Sequence, residues 1–279
     1  MNYCRAAFFC TALLAATAAA DAPALDVLVC YPASAVSARD AEPALKEMVS
    51  VIESIGGWPA GTVKAHFTTR LSECQKKLDA LQPPFAFLPL GTFLRNHQSH
   101  QLRPLVQPRL AASSEDSYHL VVRGGTFSTL DDLRGKKVGG PWLEDLEFLR
   151  RVVFAGKLDP QKDFHLSSCK RALKALRQLA SGKLDAVLLN RQQAKSLSEL
   201  PFGRELKIIY DSEPLPQVGL VADVRRASEA DRQKMQKAME AMCSHQKGKK
   251  LCELFNLESF VESGPDAFAR AIERWQSVP

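Results

Sequence analysis

The sequence predicts an α/β protein built as two lobes. Three observations predict it: strand-length and helix-spaced apolar segments alternate, two polar links interrupt them, and the one long apolar run lies at the N-terminus. Alternating β and α segments argue for parallel sheets covered by helices. The links, 113–117 and 211–216, bracket a middle block. A chain that leaves one lobe, builds a second and returns crosses between them twice. In such sheets ligands settle outside the carboxyl ends of strands. Two lobes arranged this way present those ends to a shared cleft.

The N-terminus carries one positive charge, Arg5, then runs apolar from Ala6 to Ala20, closing on Ala18, Ala19 and Ala20 before Asp21. That order is the order of a secretory signal peptide. Residues 1–20 are therefore expected to be removed on export. The run falls short of the about 20 residues that a membrane-spanning helix needs. LDVLVC, Leu25–Cys30, then reads as a strand stopped by Pro32, and Ala41, Leu45, Met48, Val49, Ile52 and Ile55 recur at helical spacing up to Gly56 and Gly57. A weaker strand at 63–67 and a helix over Leu71–Leu81 follow. FAFLPL, residues 85–90, reads as a buried strand that gives way at Pro89, Gly91 and Thr92. Residues 105–110 and Tyr118–Arg123 are strands on either side of the first link.

A second series begins there. Residues 137–139 form a short strand, and Leu143, Leu146, Leu149 and Val153 mark a helix. A strand at 164–166 precedes a helix marked by Ala172, Leu173, Leu176 and Leu179. LDAVLL, 184–189, is a strong strand, and 208–210 leads into the second link. Residues 218–222 return to strand. Ser228 with Asp231 makes a capping-box-like start for a helix whose apolar face is Met235, Ala238, Met239 and Met242. Pro265 opens a last helix with Phe268, Ile272 and Trp275 on one face. The expected division is residues 21–114 with 212–279 as one lobe and 115–211 as the other.

Composition narrows the function. There are 37 Lys and Arg against 31 Asp and Glu, for a net charge of +6. The excess is scattered, not gathered into the stripe of a nucleic-acid binder. No GxSxG elbow, P-loop, HExxH or GxGxxG is present. His97 and His100 sit three apart in the polar stretch 95–103 without a carboxylate beside them in sequence, which reads as solvated surface, not a metal site. No catalytic residue, metal or cofactor is therefore expected. Five cysteines follow the signal segment: Cys30, Cys74, Cys169, Cys243 and Cys252. They form neither a CxxC pair nor zinc spacing. Cys243 and Cys252 are near enough to close a loop in an oxidising compartment; the alternative is that all five are small buried hydrophobes.

Three strings carry a family resemblance. GGTFSTLDDLRGKKVGG, residues 124–140, contains a DLxGKxV run; LASGKLDAVLLN, residues 179–190, contains a GxxDA run; and residues 214–240 begin PLPQVGLVADV. In this order, with Tyr31-Pro32 after the first strand, they resemble the type 2 periplasmic solute-binding proteins of ABC importers, and within them the phosphate/phosphite/phosphonate-binding branch. The resemblance implies a two-lobed fold, α/β, with a mixed sheet and flanking helices in each lobe and a two-strand hinge. It implies a periplasmic monomer without enzymatic activity that hands a small-molecule solute to an ABC permease. A membrane receptor that reads the same cleft is the alternative partner.

The cleft expected from strand ends comprises Tyr31, Gly91, Thr92, Gly125, Thr126, Gly140, Trp142 and Asn190. Phosphonate binders of this branch follow the GKxV strand with a hydroxyl-rich loop that opens a helix and binds the anion. Here that stretch is Gly139-Gly140-Pro141-Trp142-Leu143-Glu144-Asp145. It has no hydroxyl and brings two carboxylates, which are expected to repel a dianion. Trp142 either stacks on a flat or cationic ligand or packs under the helix.

Overall fold

The computed structural model describes residues 24–32, 36–110 and 112–278. The expected signal segment lies outside them. Two sheets dominate, and each mixes parallel and antiparallel pairs.

The first sheet has six strands: β1 (Leu25–Cys30), β2 (Val63–Thr68), β3 (Phe85–Phe87), β4 (Leu102–Arg109), β12 (Leu220–Asp223) and β13 (Ser259–Glu262). Their order is β13-β4-β12-β3-β1-β2. β1 runs parallel to β2 and β3, whereas β12 is antiparallel to both β3 and β4. Helices α1 (Ala38–Gly56), α2 (Leu71–Leu81) and α3 (Leu90–Asn96) connect its early strands, and α8 (Glu229–Ala241) and α9 (Gln246–Leu254) join β12 to β13. The second sheet, ordered β10-β6-β9-β7-β8, is built from β6 (Tyr118–Arg123), β7 (Lys136–Gly140), β8 (Phe164–Ser168), β9 (Ala186–Asn190) and β10 (Leu206–Asp211). Here β7 is parallel to β8 and β9, and β6 is antiparallel to β9. Between the sheets, β5 (Glu115–Asp116) and β11 (Leu215–Pro216) pair antiparallel where the chain crosses in each direction.

Alternation alone argues for parallel sheets, but the strands that enter from the crossings, β6 and β12, run against their neighbours, which makes each sheet mixed, as the family resemblance implies. FAFLPL is shorter than its apolar run suggests: only Phe85–Phe87 is strand, and Leu90 already opens α3 with Pro89 before it. A proline supplies no N–H to a ladder, and its φ suits a helix start. The helix read over 143–153 is in fact a single turn, α4 (Leu146–Phe148), running into a π-helical turn at Leu149–Val153. The remaining helices of this lobe are α5 (Pro160–Asp163), α6 (Ala172–Ala180) and α7 (Arg191–Lys195). The last helix, α10, begins at Ala269, not Pro265, and ends at Ser277.

Two of the three apolar clusters belong to one sheet each. Val27, Ile52, Phe85 and Met235 pack beneath the first, and Val121, Leu176, Leu179 and Val187 beneath the second. The third joins the lobes: Leu28, Leu88 and Phe93 from the first are continuous with Leu120, Phe148, Leu149 and Phe154 from the second. Phe268 extends it, its ring centroid 5.1 Å from that of Phe93, so α10 approaches the seam between the lobes.

Two disulfides staple the first lobe, Cys30–Cys74 and Cys243–Cys252, and Cys169 is free. Cys30 ends β1 and Cys74 lies in α2, so the bond pins that helix against the sheet. The bonds span sequence separations of 44 and 9. Loop-closure entropy gives about 4 kcal/mol for the longer and about 2.7 kcal/mol for the shorter. Urea unfolding should therefore show a greater loss for the Cys30→Ala/Cys74→Ala pair than for Cys243→Ala/Cys252→Ala; an equal or reversed order contradicts this.

Candidate functional site

The carboxyl end of β7 aims the chain at the seam. Gly140 has φ +139, and a Cβ there would stand 2.5 Å from the Leu188 carbonyl oxygen, so β7 packs close to β9 only with glycine at this point. Pro141 and Trp142 follow, and then Glu144 and Asp145 reach across to the other lobe. Asp145 is the N-cap of α4 and accepts the Phe148 N–H at 3.1 Å. Its Oδ1 also takes a hydrogen bond from Arg95 Nη2 at 2.7 Å. Arg95 stands in the last turn of α3 and donates through Nε to Glu147 at 3.2 Å. Burial alone would lower the Arg95 pKa, but Asp145 and Glu147 outweigh it and hold the guanidinium above its usual range. It stays charged.

Glu144 performs a similar bridge. The α2 N-cap, Arg70, makes no side-chain cap bond, and Glu144 Oε2 accepts the Leu71 N–H at 3.3 Å instead. A carboxylate from one lobe thus caps a helix of the other, where the helix dipole favours negative charge. Lys170 approaches Glu144 Oε1 at 3.8 Å and donates to the Thr69 carbonyl at 3.0 Å. Behind these ties, the guanidinium carbons of Arg95 and Arg151 each lie 5.4 Å from the centre of the Trp275 ring. Arg151 donates to Glu147 at 3.0 Å, to the Trp275 carbonyl at 2.9 Å and to that of Val278. The C-terminal helix closes one side of the seam.

These ties enclose a cavity of about 50 Å³, lined by Pro32, Leu71, Pro89, Leu90, Gly91, Tyr118, Pro141, Trp142, Glu144, Asp145 and Phe148. Tyr118 stands edge-on to Trp142 and to Phe148, with both pairs of ring centroids 5.7 Å apart. Burial pushes the Tyr118 phenol strongly up, helped by the Asp116 and Asp145 carboxylates, so it remains a neutral hydroxyl. The Trp142 indole N–H donates to Gln193 Oε1 at 2.9 Å. That bond fixes the ring as a wall of the cavity.

The cavity gathers Gly91 and Trp142 from the residues expected at strand ends, and Gly140 shapes the loop behind it. Tyr31 is 49% exposed, beside lining residue Pro32. Thr92 is fully buried, one residue beyond Gly91, and its hydroxyl has no partner among the described residues. Gly125 and Thr126 lie elsewhere: β6 runs antiparallel to β9, so its carboxyl end carries them to the far end of the sheet, where the Thr126 hydroxyl bonds the Arg123 carbonyl. Asn190 is spent on structure, capping α7 and donating to Asp116. Arg95, Tyr118, Phe148 and Lys170 were missed. Their roles depend on the approach of the second lobe, which no local spacing encodes.

A row of serine, histidine and aspartate also occurs at the crossing. Ser117 Oγ is 2.8 Å from His119 Nε2, and His119 Nδ1 is 2.5 Å from Asp211 Oδ1. Ser117 is only 6% exposed and also accepts from Arg191 Nε at 3.5 Å. An attacking nucleophile needs an approach to its substrate. This row acts as a strut joining β6 to β10. His97 and His100 turn to the Leu94 carbonyl and to Asp79, and the described residues contain no group of His, Cys, Asp and Glu able to hold a metal.

The model of the ABC-transporter phosphonate periplasmic substrate-binding proteins matches residues 30–268. The chain belongs to that family. No curated protein matches the sequence, but solved structures of the same fold do. One is XAC2383 from Xanthomonas citri bound to ATP, 14% identical over 91% of this chain and 96% of that one, with a TM-score of 0.68. Another is a binding-protein component of an ABC phosphonate transporter from Pseudomonas aeruginosa, PA3383, 17% identical over 91% and 86%, with a TM-score of 0.67. PhnD1 from Prochlorococcus marinus in complex with methylphosphonate is 12% identical over 90% and 97%, with a TM-score of 0.64. The two-lobed α/β fold of these periplasmic binding proteins is the fold of this chain, and delivery of a small molecule to an ABC importer is the function of its family.

Within this family member the approach of α3 to α4 depends on Gly91. A Cβ at this position would collide with Asp145 Oδ2 and come within 2.7 Å of Phe148 Cβ. Gly91→Ala should keep both lobes folded but force them apart, with a loss of about 1–3 kcal/mol of stability and a larger radius in solution scattering. An unchanged radius and melting temperature contradict the close approach.

Proposed function

We propose that this binding protein captures a small solute other than a phosphonate dianion and passes it to its permease. One observation carries the reading: two donors of the first lobe that face the second, Arg95 and the Leu71 N–H, are already taken by the protein's own carboxylates. Arg95 is held by Asp145 and Glu147, and the Leu71 N–H by Glu144. An anion entering between the lobes finds those donors occupied and must displace a carboxylate to reach one. Repulsion by bare carboxylates, as expected from the sequence, is the weaker part of the argument. Two like charges about 4 Å apart repel by about 4 kcal/mol at an effective dielectric of 20, but Arg95 and Lys170 offset most of that charge.

The family match and the signal-like order of residues 1–20 support the periplasmic part of this reading, with cleavage near Ala20. Mass spectrometry of the protein from its own cells should find a start close to Asp21; retention of Met1 overturns that step.

Calorimetry with methylphosphonate, phosphite and phosphate tests the ligand class. Binding should be weaker than about 1 μM, or about −8.2 kcal/mol. The Glu144→Ser/Asp145→Thr variant should gain affinity for these ions, because Arg95 and the Leu71 N–H are released. Tight binding by the unmodified protein overturns the exclusion.

A further inference from the structure

The last helix belongs to one lobe by chain order and to both by contact. α10 follows β13, a strand of the first sheet. Its N-cap, Phe268, is only 3% exposed and packs against Phe93 of that lobe. From this anchor the helix runs along the seam. Arg270 and Arg274 pair with Glu213 at 2.7 and 2.5 Å, where the chain returns from the second lobe. The last turn then meets the second lobe itself. Arg151 Nη1 donates to the Trp275 carbonyl at 2.9 Å and to that of Val278. Carbonyls at a helix end lack intrahelical donors, and the dipole there favours a cation.

The Trp275 ring serves both lobes at once. Arg95 comes to it from α3 and Arg151 from the π-helical turn, each with its guanidinium carbon 5.4 Å from the ring centre. Anchor and clip therefore differ in kind. Phe268 is held by apolar burial, whereas the last turn is held to the second lobe by one arginine, through a ring face and two carbonyls. Contacts of the second sort are individually modest and break without unpacking a core. No residue of α10 lines the cavity, so the helix can govern access to it without touching a solute inside.

We propose that α10 is a latch: anchored on the first lobe at Phe268, it holds the solute-free protein closed by clipping its last turn onto Arg151, and the cleft opens when that clip releases. The latch acts whichever solute the cleft takes, so it stands or falls apart from the ligand class.

Amide hydrogen exchange followed by NMR is the test. The Leu71 N–H has its only hydrogen bond among the described residues across the seam, to Glu144, so its exchange reads separation of the lobes. The Leu28 and Val121 amides, inside the first and second sheets, read the integrity of each lobe. Trp275→Ala should speed exchange at Leu71 about tenfold and leave Leu28 and Val121 unchanged. Trp275→Phe, which keeps an aromatic face, should retain most of the protection. Arg151→Lys keeps a charge beside Glu147 but loses the planar fork, and should also speed exchange at Leu71 selectively. If Trp275→Ala does not fold, that selective effect is required of Arg151→Lys alone. Exchange at Leu71 that is unchanged, or that accelerates together with Leu28 and Val121, overturns the latch.

Discussion

The ion pair between Arg95 and Asp145 is the contact on which the closed arrangement depends. It joins a helix of one lobe to the helix cap of the other at 2.7 Å, and both side chains are largely shielded from water. Removing either partner of such a pair leaves a shielded charge uncompensated, which costs far more than the pair itself contributes. Asp145 reaches Arg95 only because Gly91 has no side chain, and Glu147 and Arg151 extend the pair into a network backed by Trp275. The absence of a hydroxyl loop after β7 and the presence of a C-terminal tryptophan are thus parts of one arrangement.

Closure has apolar as well as polar support. One buried cluster runs unbroken from Leu28 and Phe93 in the first lobe to Phe148 and Phe154 in the second. At the crossings, His119 pairs with Asp211, and Glu213 is held by Arg274 and Arg270 of the last helix, which keep its carboxyl below the usual range. A solute-binding protein generally gains its interlobe contacts from the ligand that bridges the cleft. Here the chain supplies much of that bridge itself. A common fold leaves the ligand to a few residues grafted on it.

Much of the fold was legible before any coordinates. The helix at Leu71–Leu81 and the strand at Tyr118–Arg123 fall where spacing placed them, and Ser228 caps its helix through the Asp231 N–H. These are local features, readable from periodicity and capping chemistry. The site was harder. Glu144 and Asp145 stood out because carboxylates replaced hydroxyls in a recognisable loop, yet their partners Arg95, Lys170 and Leu71 are distant in sequence. Gly125 and Thr126 were misplaced by treating every strand end as a cleft end, which fails in a sheet with antiparallel members. The Cys30–Cys74 bond was invisible for a similar reason: a separation of 44 carries no local signal.

The central claim is that the lobes close on their own carboxylates. Small-angle scattering of the solute-free protein, with and without millimolar methylphosphonate, tests it most directly. The account predicts one compact curve that the phosphonate does not alter. An extended solute-free form that contracts when methylphosphonate is added would contradict it.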